Sequence, residues 1–127
     1  MKIEQAVILC GGRGTRLNAL HPNLPKALAP VAGRPFLQWQ LDWLSCGGLR
    51  AVHLAAGHLA GQLEEWIRTG PQPELCLTLA REPAALGTGG GLKFSEPFLR
   101  GDAWWVLNGD SLLPNLNFQA LEKTARE

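Results

Sequence analysis

Three short stretches carry the residue types from which chemistry could be built. "LCGGRGTRLNALHPNLPK", residues 9 to 26, sets Gly11, Gly12 and Gly14 with Arg13 and Arg16 directly behind an apolar run, then delivers Lys26 behind Pro25. "AREPAALGTGG", residues 80 to 90, joins one acid, Glu82, to a second glycine cluster. "NGDSLL", residues 108 to 113, closes another apolar run with Asp110. Glycines allow backbone N–H groups to approach an anion with no Cβ in the way, and neighbouring cations add charge to such a nest. A single glycine cluster is as readily a turn. Two clusters, with Arg13, Arg16 and Lys26 beside the first, point to an anion site.

Spacing sorts the known phosphate-binding designs. A P-loop needs a lysine and then Ser or Thr after GxxxxG, and none follows these glycines at that distance. The dinucleotide fingerprint begins at Gly12 and Gly14 but has Leu17 where its last glycine belongs, and no acid follows Ala51-Val52-His53-Leu54-Ala55 to grip a ribose. What remains is GGxGTRL followed by a PK pair. Other tempting residues carry less. His21, His53 and His58 have no mutual ligand spacing, and His53 inside an apolar run reads as a core side chain. No Ser-His-Asp set is evident. Trp39, Trp43, Trp66, Trp104 and Trp105 fall at helical or strand core positions and read as packing. Cys10, Cys46 and Cys76 lie far apart within apolar segments and read as three core thiols, not a disulfide framework or zinc site.

The elements that must position these groups alternate strand and helix. Ala6 to Cys10 is an unbroken apolar run ended by glycines, which predicts a central strand covered on both faces. A helix is expected from Pro35 to the stop at Gly47-Gly48, a strand over residues 51–56, and a helix from His58 to Thr69 stopped by Gly70-Pro71. Leu75 to Leu79 predicts a third strand. A glycine-rich turn then leads to a short helix from Gly90 to Phe98, a fourth strand from Ala103 to Leu107, and a closing helix from Phe118 to Arg126. This rhythm means an α/β fold with a Rossmann-like, mostly parallel sheet and helices on both faces. The residues following the strands should then line one crevice at their carboxyl ends.

Composition limits the partners. At 127 residues with 46% apolar and 18% charged side chains, one core is expected, and a net charge of +1 gives no general attraction to nucleic acid or to an anionic membrane. Phosphate binding must therefore be local. The opening MKIEQAVIL has no signal-peptide pattern, and no run approaches the ~20 apolar residues of a membrane span, so a cytoplasmic protein is expected.

The string from Leu9 to Leu37, together with "LGTGG" and "LNGD" in that order, closely resembles the N-terminal signature of the sugar-phosphate nucleotidyltransferases. These enzymes join a nucleoside triphosphate to a sugar 1-phosphate and release pyrophosphate. "GRPFL", "LGTGGGL" and "VLNGDSL" look most like the heptose 1-phosphate guanylyltransferases, with mannose 1-phosphate enzymes and uridylyltransferases of amino-sugar acids close behind. The resemblance implies the nucleotide-diphospho-sugar transferase type of fold, of which residues 1–127 would be the nucleotide-binding, N-terminal part, without the C-terminal sugar-binding part. It implies Arg16 over the phosphates and Lys26 at the α-phosphate as catalytic residues, with Gly12, Gly14 and Thr15 in the phosphate loop. Leu9, Gly11, Glu82 and Gly87 would surround the base, Thr88 would be a further substrate-binding residue, and Asp110 would ligate Mg2+. Asn108 either orients Asp110 or touches the substrate, or else caps its strand, and Arg13 is either a triphosphate contact or a solvated charge.

The base segment departs from the family pattern E-x-x-P-L-G-T, since Pro83 comes two places early and Ala85 stands in its stead. Two functions follow as alternatives: a nucleotidyltransferase, or a catalytically incomplete nucleotide-binding or assembly module. The family's strand order would leave residues 103–107 at an edge, where association with another copy or with a further segment is expected unless the closing helix folds back over it.

Overall fold

Apolar runs without polar alternation suit strands buried on both faces, and the chain builds its sheet from them. The computed structural model describes residues 2–11, 23–70, 74–84 and 86–127. In chain order these form β1 (Gln5–Cys10), a 3-10 turn (Lys26–Leu28), β2 (Pro30–Val31), β3 (Arg34–Pro35), α1 (Phe36–Cys46), β4 (Ala51–Ala56), α2 (Ala60–Thr69) and β5 (Cys76–Arg81). There follow α3 (Gly87–Ser95), a second 3-10 turn (Glu96–Phe98), β6 (Trp105–Asn108) and α4 (Phe118–Arg126). Four strands make one parallel sheet in the order β5-β4-β1-β6, and β2 and β3 form a small antiparallel ribbon. The expected order, with the N-terminal strand inside and the last strand at an edge, is the observed one.

Register separates the two layers. Ile8 lies beside Leu54, and Val7 beside His53 and so beside Thr78, which sends alternate residues to opposite faces. On one face Ala6, Ile8, Val52 and Leu54 pack with Leu37, Leu41 and Leu44 of α1 and Leu63 of α2, all fully buried. Each such leucine contributes about 1.5–3 kcal/mol by leaving water. The opposite face is covered by α3 and the turn after it, where Phe98 stacks on His53 with centroids 4.7 Å apart.

Several boundaries differ from expectation for local reasons. The second helix starts at Ala60, not His58, because Leu59 adopts a left-handed φ of 59° and turns the chain first. The third strand begins one residue late but runs on to Arg81, which pairs with Ala56. The fourth covers Trp105–Asn108 and leaves Ala103 and Trp104 outside. The glycine run is not a turn: Gly87 opens the helix at φ 72°, and Gly89, Gly90 and Gly91 lie within it. A Cβ on Gly91 would sit 2.5 Å from Glu82 Oε1 and one on Gly90 would sit 2.7 Å from Leu86 Cβ. Close approach to neighbouring groups selects glycine there, despite a propensity cost of about 1 kcal/mol each.

Cys10 is a core thiol as expected, but Cys46, the last residue of α1, and Cys76, on edge strand β5, are exposed. The five tryptophans are half-buried. Trp105 meets Phe118 edge-on at 5.3 Å and Trp43 meets the same ring at 5.1 Å, so the start of the closing helix does fold over the edge strand. Val106, Leu113 and Leu121 stay exposed beside it. Among the described residues no helix is long and apolar enough to cross a membrane.

His53 is fully buried, and its Nδ1 shares a hydrogen bond with Thr78 Oγ1 at 2.7 Å while Nε2 has no partner. Burial lowers its pKa below the ordinary imidazole value. The unfolded chain therefore takes up this proton first, so stability should fall as pH drops below about 6.5, by at most about 1.4 kcal/mol per pH unit. Urea unfolding at pH 7.5 and 5.5 should show the loss in the native chain and a smaller one in His53→Gln. An equal loss in the variant would assign the effect to other groups.

Candidate functional site

At the carboxyl end of the sheet, two neighbouring strands hand their following residues to a common rim. After β6 the Gly109 N–H donates to the Leu9 carbonyl at 3.0 Å, and a Cβ on Gly109 would lie 3.0 Å from that same oxygen. Glycine thus lets the chain hug β1 just before Asp110. On the other side, extended Pro25 leads into the 3-10 turn, whose Ala27 and Leu28 are buried and anchor Lys26 at its start. Lys26 Nζ reaches Asp110 Oδ2 at 3.3 Å, the lysine side chain 26% and the aspartate 54% exposed.

The facing wall is built around Glu82. Its N–H donates to the Ala56 carbonyl at 2.7 Å, which continues the β4–β5 ladder by one residue. Its carboxylate occupies a slot that only glycines leave open: a Cβ on Gly11 would fall 2.9 Å from Oε2, and one on Gly91 2.5 Å from Oε1. Gly57 closes on Gly11 in turn, since its Cβ would lie 3.1 Å from the Gly11 carbonyl. The result is a cleft of about 260 Å³ lined by Leu9, Gly11, Lys26, Glu82, Leu86, Gly87, Thr88 and Asn108. Gly87 and Thr88 begin α3, so the positive end of that helix borders the cleft. A larger hollow of about 440 Å³, between Lys2, Arg50, Phe98 and Asp102, lies where the strands begin. Open parallel sheets bind ligands at the other end, so the smaller cleft is the candidate.

Leu9, Gly11, Lys26, Glu82, Gly87, Thr88 and Asn108, expected from sequence, thus share one cleft, and Asp110 joins it through Lys26. Gly12, Gly14, Thr15 and Arg16, with Arg13 and His21, fall outside the described residues. Leu86 was not anticipated, and neither was Gln40 of α1, whose Nε2 donates to the carbonyls of Asn108 and Ser111 at 3.0 and 2.9 Å. Its signal was available: a polar residue three after Leu37 and four before Leu44 sits on the buried stripe of the helix. Cys10, under the rim, is no nucleophile, because burial pushes its thiol up to about 12 against the opposing charge of Lys26.

Among the described residues no group of three or more His, Cys, Asp or Glu converges on an ion-sized site. Asp110, a single exposed carboxylate beside an anion cleft, suits Mg2+, which takes one or two carboxylates together with substrate phosphates.

Comparison with known proteins gives the family. The MobA-like NTP transferase domain matches residues 6–127. The chain is 36% identical over 108 residues to the D-glycero-alpha-D-manno-heptose 1-phosphate guanylyltransferase of Campylobacter jejuni subsp. jejuni, covering 84% of this chain and 48% of that protein. It is 34% identical over 122 residues to the N-acetylmuramate alpha-1-phosphate uridylyltransferase of Neisseria meningitidis serogroup B, covering 95% and 52%. The solved structure of HddC from Yersinia pseudotuberculosis complexed with GMP-PN superposes with a TM-score of 0.85 at 27% identity, covering 97% of this chain and 54% of that one. The chain therefore spans about half the length of these relatives.

Proposed function

Because the chain belongs to the MobA-like NTP transferase domain family, we propose that it serves nucleotidyl transfer from a nucleoside triphosphate to a sugar 1-phosphate, giving an NDP-sugar and pyrophosphate. The favoured substrates are GTP and heptose or mannose 1-phosphate, with Mg2+, in the cytoplasm. The observation that carries this reading is the Lys26–Asp110 pair at the rim of a glycine-built cleft.

In this reaction a sugar phosphate oxygen attacks the α-phosphorus in line while pyrophosphate leaves, so catalysis is mainly positioning and charge neutralisation. Lys26 gives up Asp110 for the α-phosphate oxygens and stabilises the charge that builds there. Asp110, released from Lys26, would hold Mg2+ together with phosphate oxygens. Mg2+, when bound, supplies Lewis-acid neutralisation of the phosphate oxygens. The α3 N-terminus and the Gly11 backbone offer N–H groups to anionic or carbonyl oxygens.

Glu82 is the reason to favour guanine. Its carboxylate can accept from the N1–H and amino group of guanine together, a pair of donors on one edge that uracil, thymine and adenine do not offer. In a thermal-shift series with Mg2+, GTP should stabilise the chain more than UTP, dTTP or ATP. A ranking led by UTP or dTTP would overturn the base assignment and favour the uridylyltransferase relatives. Pyrophosphate release from GTP with heptose or mannose 1-phosphate tests the reaction itself, and binding without release would favour the incomplete nucleotide-binding module.

A further inference from the structure

Four buried polar side chains are described, Gln38, Gln40, His53 and Ser95, and of these Gln40 reaches the loop that carries Asp110. Gln40 is fully buried among the leucines of α1. A primary amide there costs free energy unless its hydrogens are answered. Both are, since Nε2 donates to the Asn108 carbonyl at 3.0 Å and to the Ser111 carbonyl at 2.9 Å, and these two carbonyls flank Asp110 in sequence. Two acceptors fix the sense of the amide, because a flipped group would set oxygen against oxygen. The Asn108 carbonyl also accepts from the Ser111 N–H at 3.3 Å, and the Gly109 N–H bonds to Leu9 at 3.0 Å. The loop is thereby tied to α1 by one side chain and to β1 by one backbone bond. Oε1 remains buried with no partner. An apolar side chain would fill this position without that penalty, so what distinguishes glutamine here is the pair of bonds to the loop.

Building on the reading of Asp110 as the carboxylate that meets a metal-bound triphosphate, we propose that Gln40 is a positioning residue for it. Gln40 holds residues 108–111 in the register that keeps the Asp110 carboxylate opposite Lys26 at the rim of the cleft. Without the tie, the loop opens more often from its one remaining bond, Gly109 N–H to Leu9, and Asp110 spreads over positions away from Lys26. The metal-dependent part of triphosphate binding then weakens. The metal-independent part, carried by Glu82 and the glycine-lined wall, does not.

Gln40→Met keeps the length and nearly the volume of the side chain while deleting the amide, and Gln40→Glu, whose carboxylate repels both carbonyls, serves as a second variant. Two readouts apply to whichever folds: GTP affinity by calorimetry in Mg2+ and in EDTA, and hydrogen exchange at the Gly109 and Ser111 amides. In Mg2+ the affinity should fall about tenfold, as for groups that orient a metal ligand, while in EDTA it stays at the native value. Exchange at the two loop amides should quicken with the β1 and β4 amides unchanged, which a general loss of core stability would not produce. Unchanged exchange at both amides overturns the proposal. So does faster exchange with native Mg2+ dependence, provided Asp110→Asn has lost that dependence. If Asp110→Asn retains it as well, the assignment of Asp110 to the metal is what fails, and the exchange result alone decides whether Gln40 ties the loop.

Discussion

Lys26→Ala should slow nucleotidyl transfer about a hundredfold, the usual cost of about 3 kcal/mol for removing one donor from a developing transition-state charge. The chain should stay folded. The pair it forms with Asp110 is 26% and 54% exposed, and exposed pairs of this kind contribute about 0–1 kcal/mol to stability. Ala27 and Leu28, which seat the turn, are untouched by the substitution. Steady-state release of pyrophosphate and a urea melt, run on the same preparations, separate the two effects. A variant with native turnover would remove Lys26 from the mechanism, and one that unfolds would make its role structural.

Gly109→Val should cost a comparable factor by a different route. A Cβ at this position meets the Leu9 carbonyl at 3.0 Å, and the atom in the way is strand backbone that cannot swing aside. A branched side chain adds crowding toward Cys10, whose Sγ would lie 3.5 Å from the same Cβ. The loop must lift from β1, which weakens the Gly109–Leu9 hydrogen bond and carries Asp110 away from Lys26. Overpacking costs about 1–3 kcal/mol of stability, and a displacement near 1 Å at a reacting centre costs about a hundredfold in rate. Turnover and the melting midpoint should therefore both fall, unlike in Lys26→Ala, where turnover alone falls. Native values of both would show that the loop has more room than the backbone contact allows.

Much of the fold was legible because its strands announce themselves. Apart from His53, Ala6 to Cys10 and Ala51 to Ala56 are apolar without alternation, and a sheet covered on both sides buries all of them but Leu9 and Ala51. The closing helix was legible in full, and the structure adds that the Asn117 side chain caps it by accepting from the Ala120 N–H at 3.0 Å. What could not be read locally was set by distant partners. Gly90 and Gly91 resemble a turn until Leu86 and Glu82 are seen to fill the space where side chains would go. Gln40 looks like an ordinary polar residue of an amphipathic helix until the carbonyls of a loop far along the chain are found against it. Cys46 and Cys76 sit in apolar company in sequence, yet one ends its helix and the other lies on an edge strand, so both meet solvent. Arg16 rests on the resemblance of its motif alone.

The place of β6 has a thermodynamic meaning of its own. Among the described strands it pairs with β1 alone, whereas β1 and β4 are each held on two sides. Opening of β6 breaks one ladder, and a partial unfolding of that kind needs less free energy than loss of the whole sheet. It would carry off Asn108 and Asp110 together and leave Leu9 paired on its β4 side alone, while Gly11 and Glu82 kept their mutual contact. Leu9 and Gly11, at the centre of the sheet, thus differ in local stability from Asn108 and Asp110, hinged at its margin, while Glu82 follows the opposite edge strand. A ligand that spans both walls clamps the margin to the centre, and part of its binding free energy appears as protection of the last strand.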